Sequence, residues 1–477
     1  MLNNSFIYFK KIFNVIVANF VNFVCSILIT LILPKFITVN DYGEWQYFLL
    51  LFSYIEFFYL GLPQGIYLRF GGCNVLNLSL RLLRNQILIL FFVELLIIAI
   101  ILKYNLHIEY LIKIFLFIIP IMLWKYFYDY FFQAIGKTNE YAKVLMLDKM
   151  LFVLFLVISF WGAYFYNIDY SSITVIYSFL TAKILSIIYA SKIFSLLMSC
   201  TNSINSTNST YNIFKELIIN INIGYKLMLA TFCSIFIVGI VRFFIVNGLG
   251  NVYYGRIAIV LSICSFAMIF INAISVVLFP NLRKQINNGY KNFTNHYTAF
   301  YKLFNSFLIV LLASVYPLEL LFNFWLPKYE TSTIFLFILM PVIIFDSNWA
   351  LFGSTIFKVF RKENIIFKIT FTSMMISISL SSVVWKYFNE LIFYSLLILF
   401  VLCFRFILTE YYILKNFQIN LFNFSFSILL FVGIFLFGNL VCSKFWAIIL
   451  YFSLLSIFFS IYLKELKEAY NILRSIK

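Results

Sequence analysis

The chain has 477 residues, 64% of them hydrophobic and only 11% charged, and carries a formal net charge of +17. About half apolar is usual for a soluble domain, so this composition excludes water as the main solvent and puts lipid in its place. The basic excess does not require a nucleic-acid partner, because polytopic chains collect Lys and Arg in their cytoplasmic loops.

A spanning helix needs about 20 largely apolar residues. Breaking the sequence at charged and polar residues predicts fourteen spans, beginning near Ile12, Trp45, Ile87, Ile114, Met150, Ser172, Leu227, Ile257, Leu303, Ile334, Ile369, Leu391, Leu421 and Phe445. The runs Ile12–Leu33, Ile257–Phe279, Leu421–Leu440 and Phe445–Leu463 contain no charge at all. Backbone amides in lipid must be satisfied within their own segment unless a barrel closes, and the alternation of barrel strands is missing. The reading is an all-α polytopic membrane protein with about 14 transmembrane helices.

The N-terminal MLNNSFIYFKK and the long apolar run behind it, which lacks a small-x-small cleavage site, predict an uncleaved first span. With the N-terminus inside, the greater part of the 35 basic residues falls in cytoplasmic segments, so both termini are expected in the cytoplasm. The stretch GLPQGIYLRFGG, Gly61–Gly72, holds four of the sixteen glycines and follows the second apolar run. Gly61, Pro63 and Gly65 are expected to end or unwind that span, leaving Arg69 and the Gly71-Gly72 pair as a cation and pliant backbone at the cytoplasmic mouth, or else as a plain basic loop.

After the sixth span, SCTNSINSTNST (Ser199–Thr210) is polar without periodicity and reads as a flexible linker. Its triplets at Asn205 and Asn208 fall on the cytoplasmic side, where they are not glycosylation sites. Across this linker the chain echoes itself. ITVNDYGEWQYFLLLFSYI is answered by IVNGLGNVYYGRIAIVLSICSF, with Tyr42-Gly43 matching Tyr254-Gly255, and IGKTNEYAKV is answered more weakly by VFRKENIIFKI. These echoes predict an N-terminal six-helix lobe (1–198), a linker (199–215), a C-terminal six-helix lobe in parallel orientation (216–416), two additional helices (417–464) and a cytoplasmic tail (465–477), the internal duplication found in many transporters. The helical charge spacing of LKELKEAYNILRSIK fits a segment lying on the membrane surface.

Three stretches resemble the oligosaccharide flippases, the polysaccharide-transporter family of the multidrug/oligosaccharidyl-lipid/polysaccharide exporter superfamily. They are LPKFITVNDYGEW (Leu33–Trp45) leading into GLPQGIYLRFGG, FQAIGKTNEYAKV (Phe132–Val144), and the long block Phe324–Asn364 with its W-L-P-K-Y start and F-K-x-x-R-K end. The resemblance covers most of the first twelve spans and rests on order and spacing. It implies two six-helix lobes around a central cavity that opens alternately to each side. The substrate it implies is an oligosaccharide repeat unit linked through diphosphate to a polyprenyl lipid of the undecaprenyl type, carried across a bacterial inner membrane for O-antigen, lipopolysaccharide, capsule or exopolysaccharide synthesis. Implied partners are membrane lipids, a polysaccharide polymerase and chain-length machinery. No nucleic acid, metal or organic cofactor is implied, and Na⁺ or H⁺ coupling stays open.

A charged sugar-diphosphate headgroup cannot cross ~30 Å of hydrocarbon unaided, so ionisable residues within spans are the site candidates. There are nine: Glu56, Glu94, Lys125, Asp129, Lys183, Arg242, Glu319, Asp346 and Arg405. Arg242 is the foremost substrate candidate, since a guanidinium is always charged and forks onto phosphate oxygens; snorkelling to the outer interface is the plainer role. Lys125 and Asp129 share one helix face and either neutralise each other or serve substrate or proton coupling. Lys183 lies too deep to snorkel and needs a partner or water. Arg405, with Glu410 close behind, is either interfacial or substrate-binding, and Arg69 completes the substrate set. Glu56, Glu94 and Asp346 are the candidates for ion coupling.

Two other readings are carried. A cation-coupled multidrug-type exporter would use the intramembrane carboxyls. A membrane-embedded polymerase or glycosyltransferase is disfavoured, because His107 and His296 fall in separate loops and no HExxH or DxD motif appears. The protein is therefore expected not to be an enzyme, and the seven scattered cysteines read as small apolar fillers.

Overall fold

The computed structural model describes residues 20–73, 75–104, 109–166, 170–202, 212–287 and 290–474. The start of the first predicted span, His107, Asn205 and Asn208 lie outside the described residues. Among those described, every regular element is a helix. Eleven helices are long and apolar enough to cross a membrane, or thirteen if each of two bent pairs counts as one span. With the apolar but shorter α1 (Phe20–Phe36) before them, they make the chain a multi-pass all-α membrane protein.

α2 (Val39–Ser53) begins six residues ahead of the predicted Trp45, because Thr38 caps it by accepting the Asp41 amide at 3.1 Å. A 3₁₀ turn (Ile55–Tyr59) follows; then Leu60 and Gly61 take left-handed conformations, and α3 (Leu62–Phe70) leaves at 62°. The break is therefore confined to Leu60–Gly61. Pro63 sits in the first turn of α3, where its missing N–H is not needed, and Gly65 lies inside the helix. α4 (Leu80–Tyr104), α5 (Tyr110–Ala134), α6 (Thr138–Tyr166) and α7 (Ser172–Asn202) are long and unbroken. α4 shows their pattern: Leu83, Ile87 and Leu90 are buried, while Phe92, Leu96 and Ile100 are equally apolar but exposed. A helix that is apolar all round belongs in lipid.

α8 (Ile213–Leu249) and α9 (Asn251–Asn287) meet at Gly250. α10 (Tyr290–Leu311) and α11 (Val315–Trp325) pass through one 3₁₀ turn to make the ninth span, and His296 lies within α10 rather than in a loop. The tenth span is the second bent pair. Pro327–Leu339, ending in α12 (Thr333–Leu339), meets α13 (Val342–Asn348), a π-helical segment (Trp349–Gly353) and α14 (Ser354–Val359) at 45°. α15 (Glu363–Tyr387), α16 (Leu391–Phe417), α17 (Phe422–Val441) and α18 (Lys444–Arg474) complete the chain. The C-terminal segment from Glu465 continues α18 as far as Arg474. Nothing breaks that helix, and Leu466 and Ala469 are buried along it.

By contacts the chain forms two compact units that divide within α8, between Ile235 and Phe236. In the first, the LPKFITVNDYGEW stretch is structural. Asp41 accepts the Ser172 amide at 3.2 Å and Glu44 the Ser172 hydroxyl at 2.6 Å, placing two carboxylates at the positive end of α7. Trp45 is buried against Phe152 and Phe179, with ring centroids at 5.6 and 5.4 Å. In the second unit, Asn305 of α10 and Asn348 of α13 exchange side-chain hydrogen bonds of 2.9 and 2.6 Å, both fully buried.

Candidate functional site

In the first unit the intramembrane charges converge. On α5, Lys125 Nζ donates to Asp129 Oδ2 at 3.2 Å, the one-turn pairing expected from their spacing. The same ammonium lies 3.9 Å from Asp148 on α6, and Asp148 also receives the ammonium of Lys183 from α7. Side-chain exposure is 5% at Lys125 and at Asp148 and 12% at Lys183, so three helices are tied by charges held out of water. The rings of Phe179 and Phe52 lie 4.8 and 5.8 Å from the Lys183 nitrogen and add a π face to its solvation.

Asp148 was not among the sequence candidates. It stands in LMLDKM beside Lys149, and the pair read as boundary charges ahead of a span placed at Met150. A charge count holds the missing signal: two lysines inside the fourth and sixth spans need two anions, and Asp129 supplies one.

Glu56 lies in the 3₁₀ turn before the break and is held by neutral groups. Its Oε2 accepts Gln64 Nε2 at 2.9 Å and the Tyr130 hydroxyl at 3.2 Å. Eight residues of straight helix would set Glu56 and Gln64 about 12 Å apart; the fold-back at Leu60–Gly61 brings them together. Gln64 Oε1 and Asp129 Oδ1 are buried without a hydrogen-bond partner among the described residues. Glu94 on α4 differs again, buried with neither carboxyl oxygen partnered among them.

The GLPQGIYLRFGG stretch is a helix crossing. A Cβ at Gly65 would stand 1.8 Å from the Asn220 carbonyl oxygen, and one at Gly224 would stand 2.0 Å from that of Gly61. The glycines of α3 and α8 are thus what lets the two backbones touch, the small-residue packing of membrane helices. Arg69 then reaches Glu216 at 2.6 Å and Asn220 Oδ1 at 3.0 Å, and Asn220 in turn donates to Gln86 at 2.8 Å. The structure places Arg69 in an ion pair that closes this crossing.

In the second unit Arg405 of α16 pairs with Asp346 of α13 and lies 5.2 Å from the ring of Trp349, the first residue of the π segment. Glu410, expected as its neighbour, turns away. It accepts from the Tyr301 hydroxyl and from Ser425, each at 3.1 Å, because five residues along a helix do not share a face. Gly353 ends the π segment, where a Cβ would stand 2.7 Å from the Thr409 methyl, so the absent side chain lets α16 close on the bend. Arg242 of α8 is half-buried and acts electrostatically on the same Asp346 carboxyl. The Nε atoms of Arg242 and Arg405 are both buried without a partner among the described residues. Arg405 is ion-paired with the one carboxylate, Arg242 has no ion pair among the described residues, and the three groups leave one formal positive charge beside a bent, π-distorted span. Such an arrangement suits oxyanions, and π segments within α-helices gather at functional positions. Glu319 sits elsewhere, paired with Lys444.

No protein-family model and no curated protein matches this sequence. Among solved structures, the chain is similar to the lipid II flippase MurJ in an inward closed conformation, with a TM-score of 0.55 at 13% identity over 96% of this chain and 99% of that one. It is also similar to a multidrug resistance MATE family transporter of the MOP superfamily in an outward-facing conformation, with a TM-score of 0.44 at 13% identity over 86% of this chain and 96% of that one. At such identity the MurJ match establishes a shared fold across nearly the whole of both chains.

Proposed function

We propose that the protein is a flippase that carries polyprenyl-diphosphate-linked oligosaccharide repeat units from the cytoplasmic to the outer face of a bacterial inner membrane by alternating access. The observation that carries this reading is the arginine set about Asp346, whose one carboxylate pairs with Arg405 and leaves Arg242 without an ion pair among the described residues, beside a broken span. Forked cationic donors of this kind lower the cost of taking a diphosphate out of water, and the lipid-II specificity in the name of the MurJ neighbour supports the same substrate class. In this reading Arg242 and Arg405 bind the diphosphate, Arg69 positions α3 against α8, and the Lys125–Asp129–Asp148–Lys183 set holds the first unit together. Both termini are cytoplasmic, and the product passes to a polymerase with its chain-length machinery. Glu56, Glu94 and Asp346 are the carboxyls through which Na⁺ or H⁺ would drive the cycle. The chain itself then makes and breaks no covalent bond.

Glu94, unpartnered among the described residues, favours one second reading, a cation-coupled multidrug exporter. Deleting the gene and analysing lipid-linked oligosaccharides by length and by membrane face separates the two. Complete repeat units trapped on the cytoplasmic face are expected. Truncated units, or complete units outside but unpolymerised, would indicate an enzyme, and an unchanged pool in a strain without a second flippase would leave the exporter.

A further inference from the structure

In the second unit, α10 and α18 flank a groove of ≈ 490 Å³. The two helices run antiparallel here. Lys302 meets Glu465 at 2.7 Å, and seven residues further along α10 the Ile309 carbonyl accepts the Tyr451 hydroxyl at 2.7 Å, fourteen residues earlier on α18. The groove therefore has two chemically different ends. Val310, Phe307, Phe459 and Leu463 line it with hydrocarbon, and further towards the C-terminus of α18 come Lys467, Tyr470 and Asn471.

On α18 the lining residues Phe459, Leu463, Lys467 and Asn471 recur every fourth position, so they form one stripe about 18 Å long. One leaflet of a ~30 Å hydrocarbon core plus its headgroup layer is of that depth. Phe307 is 59% and Leu463 45% exposed, so the apolar part opens on the surface that a spanning chain gives to lipid. Lys302 and Glu465 satisfy each other at the polar end. Lys467 has no ionic or hydrogen-bond partner among the described residues, and neither has the Tyr470 hydroxyl beside it.

We propose that this groove binds one anionic phospholipid, with an acyl chain along Val310, Phe307, Phe459 and Leu463 and the phosphate at Lys467 and Tyr470. The uncompensated ammonium selects the anionic headgroup, and an ammonium at an anionic lipid surface is worth about a fivefold preference.

The test uses the full-length chain purified in detergent, titrated with phosphatidylglycerol or phosphatidylethanolamine and followed by native mass spectrometry and thermal melting. Wild type should hold one phosphatidylglycerol after other lipids are stripped, melt higher with it, and need about fivefold more phosphatidylethanolamine for the same effect. Lys467→Ala should abolish the preference between headgroups. Leu463→Trp, a substitution at a half-exposed position that should leave the fold intact, should weaken both lipids by filling the groove. Equal response to the two lipids in wild type, or an undiminished preference in Lys467→Ala, would overturn the proposal. So would displacement of phosphatidylglycerol by an equal amount of polyprenyl phosphate, which would make the groove a seat for the carrier lipid. None of these readouts measures transport, so the proposed function and the lipid site fail separately.

Discussion

Lys125, Lys183, Asp129 and Asp148 of the first unit sum to zero formal charge, whereas Arg242, Arg405 and Asp346 of the second leave one positive charge over. The chemistry differs as well as the count. The first set uses ammonium groups, compact point charges that three carboxylate contacts can satisfy; the second uses guanidinium forks with more donors than one aspartate can occupy. Matched charges tie helices to one another. Unmatched ones are available to something that arrives.

The largest effect should come from unbalancing the matched set. Asp148→Ala leaves Lys183 without its carboxylate and Lys125 with only Asp129, and stranding a buried charge costs about 3–5 kcal/mol. The variant should lose most of its folded, monodisperse fraction on size-exclusion chromatography. Removing both ends of the pair, as in Asp148→Leu with Lys183→Met, should recover much of that loss, because well-packed apolar residues often replace a buried ion pair without penalty. A double variant as unstable as the single one would show that these charges do more than neutralise each other.

The unmatched set should respond the other way. Arg242→Gln removes a half-buried cation that no carboxylate among the described residues contacts directly, so the melting temperature should barely move. Outward movement of lipid-linked oligosaccharide in membrane vesicles should fall about tenfold, the size of one charge-assisted hydrogen bond. Lost stability with transport per folded molecule unchanged would return Arg242 to an interfacial role.

Arg69→Gln belongs between these two. The Arg69–Glu216 pair is partly exposed, 29% and 17% by side chain, and a pair of that kind contributes less than about 1 kcal/mol. The glycine contacts hold α3 on α8 without it. A small fall in melting with nearly full transport is expected, and transport lost at unchanged stability would restore Arg69 to the substrate path.

How much of this was legible in the sequence follows from what each signal measures. Hydropathy reports that a span exists, so every predicted start after the first falls within an observed helix or one residue before it, yet α6, α8 and α10 begin well ahead of Met150, Leu227 and Leu303. It is blind to a bend, and the 62° and 45° breaks depend on local backbone at Leu60–Gly61 and around Pro341. Charge inside a span is visible too, and six of the nine candidates, Lys125, Asp129, Lys183, Arg242, Asp346 and Arg405, fall into the two clusters. Pairing across helices is not visible. Glu410 is nearer than Asp346 to Arg405 in sequence and has the right sign, but helix phase sends it to Tyr301 instead. Asp148 was lost because a charge beside a span end looks like a boundary until the packing of three helices encloses it. Glycine-rich sequence likewise reads as slack, and only the closeness of α8 shows that Gly61, Gly65 and Gly224 mark tight contact.

The smallest expected effect concerns the echoed turns IGKTNEYAKV and VFRKENIIFKI, where the two units are compared on neutral ground. Both close a helix in the same way. Lys137 donates its amide to the Phe132 carbonyl at 2.9 Å, and Lys362 donates to that of Phe357 at 2.7 Å, with the residue before each lysine in the left-handed region. This is the six-to-one bond of a Schellman cap. The first unit places Gly136 there (φ 69) and the second places Arg361 (φ 53). A left-handed side-chain-bearing residue costs about 1–2 kcal/mol, and glycine gives back about half of that through the freedom it has when unfolded. Arg361→Gly should therefore stabilise the protein by roughly 0.5–1 kcal/mol, and Gly136→Arg should destabilise it by a similar amount, both read as opposite shifts in melting temperature. If Arg361→Gly lowers stability instead, the arginine side chain makes a contact worth more than its backbone strain, and the two turns are alike in backbone only.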